Sequence, residues 1–130
     1  MHPFRKAVEA GDLAAIEDML ADDVVFTSPV AFRPYPGKPI TAAILRGVSR
    51  VFTDFRYTRE MADAGGRDHA LVFKARVGDK EIEGCDFLHI DDEGRIDELT
   101  VMVRPLSAAH ALAEAMGAQF ERIAQEAAGA

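Results

Sequence analysis

Glu81-Ile82-Glu83-Gly84-Cys85-Asp86-Phe87-Leu88-His89-Ile90 alternates with a period of two. Ile82, Gly84, Asp86, Leu88 and Ile90 fall on one face, and Glu81, Glu83, Cys85, Phe87 and His89 on the other. Such alternation marks a strand with one face on a core, here spanning Glu81–Asp91. One residue breaks the pattern. Asp86 stands in the middle of an otherwise apolar stripe.

Working outward, the same period predicts strands at Phe55–Met61, His69–Val77 and Arg95–Arg104. Leu71, Phe73, Ala75 and Val77 share a face in one, and Leu99, Val101 and Val103 in another. Ala64-Gly65-Gly66-Arg67, Gly78-Asp79-Lys80 and Asp91-Asp92-Glu93-Gly94 read as hairpin turns. Upstream the period lengthens to that of helices. Phe4, Ala7 and Val8 form a short stripe behind Pro3, ending at Gly11. Asp12 caps a second helix carrying Leu13, Ile16, Met19 and Leu20, and Val24–Ser28 reads as a strand stopped by Pro29. Four prolines between Pro29 and Pro39 predict an irregular loop, followed by a helix with Ile40, Ile44, Val48, Val51 and Phe52 on one side. Pro105 closes the sheet, and Ser107 is expected to cap a last helix bearing Leu112, Met116, Phe120 and Ile123. Helices segregated from a mostly antiparallel sheet define an α+β fold.

Composition sets the outer bounds. With 130 residues, 48% hydrophobic and 28% charged, the chain is expected to form one domain, 1–130, able to bury a core without metals or disulfides. A net charge of −7 argues against nucleic acid, which needs a basic face, and against an anionic membrane. Cys85 is the sole cysteine, which excludes an internal disulfide framework. No signal-peptide-like or membrane-length apolar run is present, so the expected location is cytoplasmic.

Asp86 carries the chemistry. Burial raises a carboxyl's pKa unless a partner supplies charge or hydrogen bonds, and no Arg, Lys or His shares its stripe. A cavity-facing acid of this kind can donate a hydrogen bond to a ligand oxygen or move a proton. It can equally be a structural carboxylate satisfied by a helix N-terminus, a tyrosine or buried water. His89 lies on the opposite face, as a surface or interface histidine; His2, His69 and His110 show no ligand spacing. Asp91-Asp92-Glu93-Gly94 lacks the alternation of a calcium loop, and Cys85 has no basic neighbour to activate it. No motif calls for a metal or a cofactor. Arg33 and Tyr35 could line the mouth of a cavity. The outer sheet face, with Val25, Cys85, Phe87, His89 and Met102 among charges, needs a cover, either the last helix or the second subunit of a homodimer.

Glu9-Ala10-Gly11-Asp12-Leu13, Leu20-Ala21-Asp22-Asp23-Val24, Ser28-Pro29 and Gly94-Arg95-Ile96, in that order, resemble the nuclear transport factor 2-like superfamily. More narrowly they resemble its SnoaL-like group, relatives of polyketide cyclases and ketosteroid isomerases. The resemblance implies a curved sheet wrapped by helices into a cone, open to a small apolar ligand. In the ketosteroid isomerase pattern the general-base aspartate falls on Ser28, the first-helix oxyanion tyrosine on Phe4, and the protonated aspartic acid on Asp86. Two of those three groups are therefore absent. The Asp-Arg-Asp arrangement of limonene epoxide hydrolases is also absent, since Gly84 and Leu88 flank Asp86. The resemblance further implies a cavity wall of Phe4, Phe26, Ser28, Leu45, Ile82, Gly84, Leu99, Val101 and Val103 beside Asp86.

Two functions stay open on these residues. One is a binding protein for a small apolar molecule, with Asp86 orienting it. The other is an isomerase, cyclase or lyase using Asp86 as proton donor or acid/base on a carbonyl- or hydroxyl-bearing substrate.

Overall fold

Pro3 opens helix α1 (Pro3–Ala10) at a position where its missing N–H costs nothing, and His2 Nδ1 accepts the Phe4 N–H. Gly11 ends it in the left-handed region, at φ 68°. Asp12 then caps α2 (Leu13–Met19), its Oδ1 accepting the Ala15 N–H at 3.1 Å. There follow β1 (Leu20–Thr27), β2 (Tyr35–Pro36), α3 (Lys38–Val51), β3 (Thr53–Ala62), β4 (Asp68–Val77), β5 (Lys80–Ile90), β6 (Ile96–Arg104) and α4 (Leu106–Ala128). This computed structural model describes residues 1–129.

The six strands form one sheet in the order β2-β1-β6-β5-β4-β3. Every neighbouring pair is antiparallel except β1 and β6, which run parallel. Register shifts in β1, in β3 and at His89/Ile90 bend the sheet, as extra residues on one strand do. The faces follow the expected alternation: Ile82, Gly84, Asp86 and Leu88 are buried on β5, and Leu71, Phe73, Ala75 and Val77 on β4. The apolar ones among them share one core with Phe4, Ile16, Ile44, Leu112 and Ile123 from the helices. The fold is an α+β cone, with its helices gathered on the concave side of a curved sheet.

Three details differ from the sequence expectation. Leu20 belongs to β1 rather than α2: it pairs with Ile96, and an irregularity between Leu20 and Val25 absorbs Asp22 and Asp23. That break in alternation hid the first half of the strand. Tyr35 and Pro36, inside the proline-rich loop, pair with Phe26 and Val25. Ser107 does not cap α4. The cap is Pro105, whose carbonyl accepts the Ala109 N–H, and no side chain assists. Among the described residues no helix is long and apolar enough to cross a membrane.

Candidate functional site

β4 lies between β3 and β5, and the site depends on a side chain long enough to reach across it. Tyr57 on β3 pairs with Phe73 on β4, and Asp86 on β5 pairs with Leu71. The Tyr57 hydroxyl crosses that strand and donates to Asp86 Oδ2 at 2.6 Å, with both residues buried. The other oxygen, Oδ1, receives no protein hydrogen bond among the described residues. Packing holds the tyrosine in place. Its ring meets Phe55 edge to face at 5.0 Å, and Phe55 stacks on Phe73 at 4.9 Å.

The pair borders a cavity of about 480 Å³. β3, β4 and β5 supply Phe55, Tyr57, Phe73 and Asp86; α3 supplies Ile44, Leu45 and Val48; α4 supplies Leu112, Met116, Phe120 and Ile123. Pro29, Val30, Ala31 and Tyr35 bring the proline-rich loop to the same space. α4 is thus a wall of the cavity, not a cover for the outer sheet face. It is fastened to α3 by Glu126, which meets Arg46 at 2.8 Å and Arg50 at 2.9 Å. Gly47 lets the helices approach, since a Cβ there would stand 2.7 Å from Ile123 Cδ1.

Burial sets the electrostatics. Desolvation lifts the Asp86 carboxyl from the ordinary 3.8 to about 6, and the Tyr57 hydrogen bond opposes the rise by favouring the carboxylate. Burial first, and the Asp86 charge second, push the Tyr57 phenol well above its ordinary value, so it stays a neutral donor. A carboxyl raised to about 6 releases its proton close to the pH of use, and once ionised it is a hydrogen-bond acceptor.

Of the residues expected at the site, Phe4, Phe26, Ser28, Leu45, Val101 and Asp86 line the cavity. Ile82, Gly84, Leu99 and Val103 do not. The reason is Phe73, whose ring lies over Gly84: a Cβ at that glycine would stand 2.4 Å from Phe73 Cζ. The strand pairing sets Ile82 beside Ala75 and Val103 beside Gly84, and Ile82 and Leu99 are buried in the core. Tyr35 reaches the cavity and lies 6.3 Å from the Phe120 ring, whereas Arg33 is not part of the wall. Tyr57 was missed altogether. β3 carries an irregularity between Tyr57 and Arg59 that blurs its period, though Phe55 and Tyr57 two apart were a usable signal.

Elsewhere, His89 Nδ1 bonds Asp97 Oδ1 at 2.6 Å, chiefly through which its pKa is raised. With Glu98 these residues place three ligand-type atoms within 4.8 Å of one another, on the sheet face away from the cavity. The bulge beside His89 brings two consecutive acids to one side, which simple alternation does not foresee. His2 and His69, far apart in sequence, meet edge to face at 4.4 Å. Burial chiefly raises the Cys85 thiol, in keeping with an unactivated cysteine.

Residues 2–99 match the family model of the SnoaL-like domain. The chain belongs to the SnoaL-like family. A comparison with curated proteins finds no match. Among solved structures this SnoaL-like domain is similar to a steroid delta-isomerase from Pseudomonas aeruginosa, with 43% identity and a TM-score of 0.87 over 92% of this chain and 87% of that one. It is similar at 33% identity, again with a TM-score of 0.87, to a cystatin-like-fold protein from Silicibacter pomeroyi, covering 95% of this chain and 89% of the other. An NTF2-like protein from Cytophaga hutchinsonii, 19% identical with a TM-score of 0.60 over 79% of this chain and 85% of its own, shares the fold.

Proposed function

We propose that this SnoaL-like domain binds a compact, mostly apolar molecule carrying one hydroxyl, and that Asp86 accepts a hydrogen bond from it. The observation that carries this reading is the Tyr57–Asp86 hydrogen bond at the wall of an apolar cavity, with Oδ1 left without a protein donor. Tyr57 turns the carboxylate and holds it; Oδ1 accepts the ligand hydroxyl. Apolar walls supply most of the affinity, and the single polar contact fixes orientation. Phe4, Phe26, Ser28, Leu45 and Val101 are the further ligand-facing residues in this reading.

Two bicyclic probes test it. 2-Naphthol is expected to bind about tenfold more tightly than naphthalene, the worth of one hydrogen bond to a charged group. Asp86→Asn or Asp86→Ala should erase most of that difference. Equal affinity for the two probes in the unaltered protein would sink the orienting role.

A second reading is favoured by the carboxyl lying near pH 6 and by likeness to the Pseudomonas steroid delta-isomerase. Asp86 would take a proton from a carbon beside a ligand carbonyl and return it, acting as general base. Ser28 and Phe4, where the ketosteroid isomerase pattern has an aspartate and a tyrosine, supply no second base and no oxyanion donor. Any such activity should therefore be modest and should rest on Asp86 alone. Deuterium exchange at the α-carbon of 2-tetralone in D2O, followed by NMR, tests it. Acceleration that Asp86→Asn removes supports proton transfer; background exchange with the unaltered protein leaves binding alone.

A further inference from the structure

Among the described residues Phe32 is the most exposed large apolar side chain, at 99%. It stands directly beside a cavity wall, since Pro29, Val30 and Ala31 line the cavity and Phe32 follows them in the chain. Three wall residues are themselves apolar and open to solvent: Leu13 at the start of α2, Val30, and Phe120 on α4. They mark where the cavity meets water, an apolar rim drawn from three separate segments. A phenylalanine held wholly in water forgoes the gain of burying its ring, and this rim is the apolar surface nearest in the chain.

The loop that carries Phe32 is fastened at its ends and loose at its tip. Before it, Thr27 pairs with Thr100; after it, Tyr35 and Pro36 pair with Phe26 and Val25. The Gly37 N–H donates to the Val24 carbonyl at 2.7 Å, and the Tyr35 ring sits between those of Phe26 and Phe120. Across residues 29–33, by contrast, one hydrogen bond is present among the described residues, from the Val30 N–H to Ser28 Oγ at 3.1 Å. Ala31, Phe32 and Arg33 can therefore turn without breaking a hydrogen bond. Consecutive Cα atoms lie about 3.8 Å apart, so a turn at Ala31 is enough to bring the ring over the mouth.

We propose that Phe32 is a lid: when a ligand fills the cavity, the loop tip turns inward and lays the ring on it, between Leu13 and Phe120. Closing over a water-filled cavity would give the ring few new contacts, so the open form is favoured without ligand. A bound apolar molecule supplies the missing surface, and it draws the loop shut because it binds the closed form better. This inference rests on the cavity taking an apolar ligand, and it adds a contact residue that the open wall does not contain.

The chain has no tryptophan, so Phe32→Trp places a single reporter at the tip. The probe is trans-2-decalol, an apolar alcohol that neither absorbs nor emits near tryptophan, with its affinity measured by calorimetry. Decalol is expected to move the emission to shorter wavelength, following the calorimetric binding curve. Phe32→Ala should weaken decalol about tenfold, mainly through faster release, and Phe32→Leu should restore most of the affinity. The Tm of unliganded Phe32→Ala should match that of the unaltered chain, because the open ring is in water and stabilises nothing. Decalol binding with an unmoved emission overturns the lid, as does equal affinity in Phe32→Ala, a comparison repeated with 2-naphthol. Emission already at short wavelength without probe overturns the open form. A shift produced by protein concentration alone makes Phe32 a contact between molecules and overturns the lid as well. No binding of either probe to the unaltered chain sinks the cavity reading, and the lid falls with it.

Discussion

Asp86 makes the protein's stability depend on pH in an unusual direction. Below about pH 4 its carboxyl is protonated in both the folded and the unfolded chain. Above the ordinary 3.8 the unfolded chain releases the proton, while the folded chain keeps it until about pH 6. The folded state then binds more protons, so this group costs stability as pH rises through that window. The difference between the two values is worth about 3 kcal/mol. Asp86→Asn should therefore gain on the unaltered protein by up to about 3 kcal/mol between pH 4 and pH 8 in urea unfolding, a gain reduced by whatever the weaker bond to Tyr57 loses. A flat difference across that range would contradict a raised carboxyl. Tyr57→Phe acts the other way. Removing the donor lifts the Asp86 carboxyl further, and at pH 8 it should cost about 1.5–3 kcal/mol, with a smaller loss at pH 4 where the acid is neutral.

At the scale of elements, β5 shows what its sequence could and could not disclose. Alternation in Glu81–Ile90 assigned the faces correctly because the strand is central and pairs without interruption to β4. The neighbours of Asp86 were another matter. Gly84 was expected on the cavity wall, but a glycine leaves a vacancy, and the Phe73 ring fills it. Whether such a gap is open or roofed is decided by a side chain on another strand, which no pattern within β5 records. Tyr57 escaped for the converse reason: it reaches Asp86 from two strands away, after an irregular register. The Leu20 end of β1 was hidden by the same kind of irregularity, at Asp22-Asp23. Gly84→Ala should cost about 1–3 kcal/mol by overpacking, because Met102 O, a backbone atom, stands 2.8 Å from the added Cβ and cannot move aside cheaply. Urea unfolding measures it. A neutral effect would mean that both the Phe73 ring and the Met102 backbone give way to the added Cβ.

For the molecule as a whole, the cone leaves about 480 Å³ open between sheet and helices. A ligand that enters this space stabilises the folded state, by about 2.7 kcal/mol when present at a hundred times its Kd. 2-Naphthol should therefore raise Tm, and Val101→Phe, which grows into the open space, should blunt the rise with little loss of stability. The contrast with Gly84→Ala separates open volume from filled volume. The overall cone was legible because the order of helices, loop and strands is carried by local periods and by the motifs shared with the family. The cavity's polar content was not, since it depends on which side chains converge from distant elements.

The most direct measurement is a carboxyl-carbon NMR titration of Asp86 with and without 2-naphthol. The expected result is an apparent pKa of about 6 that moves when the probe binds and rises in Tyr57→Phe. A value near the ordinary 3.8, unmoved by the probe, would contradict a desolvated, ligand-facing acid.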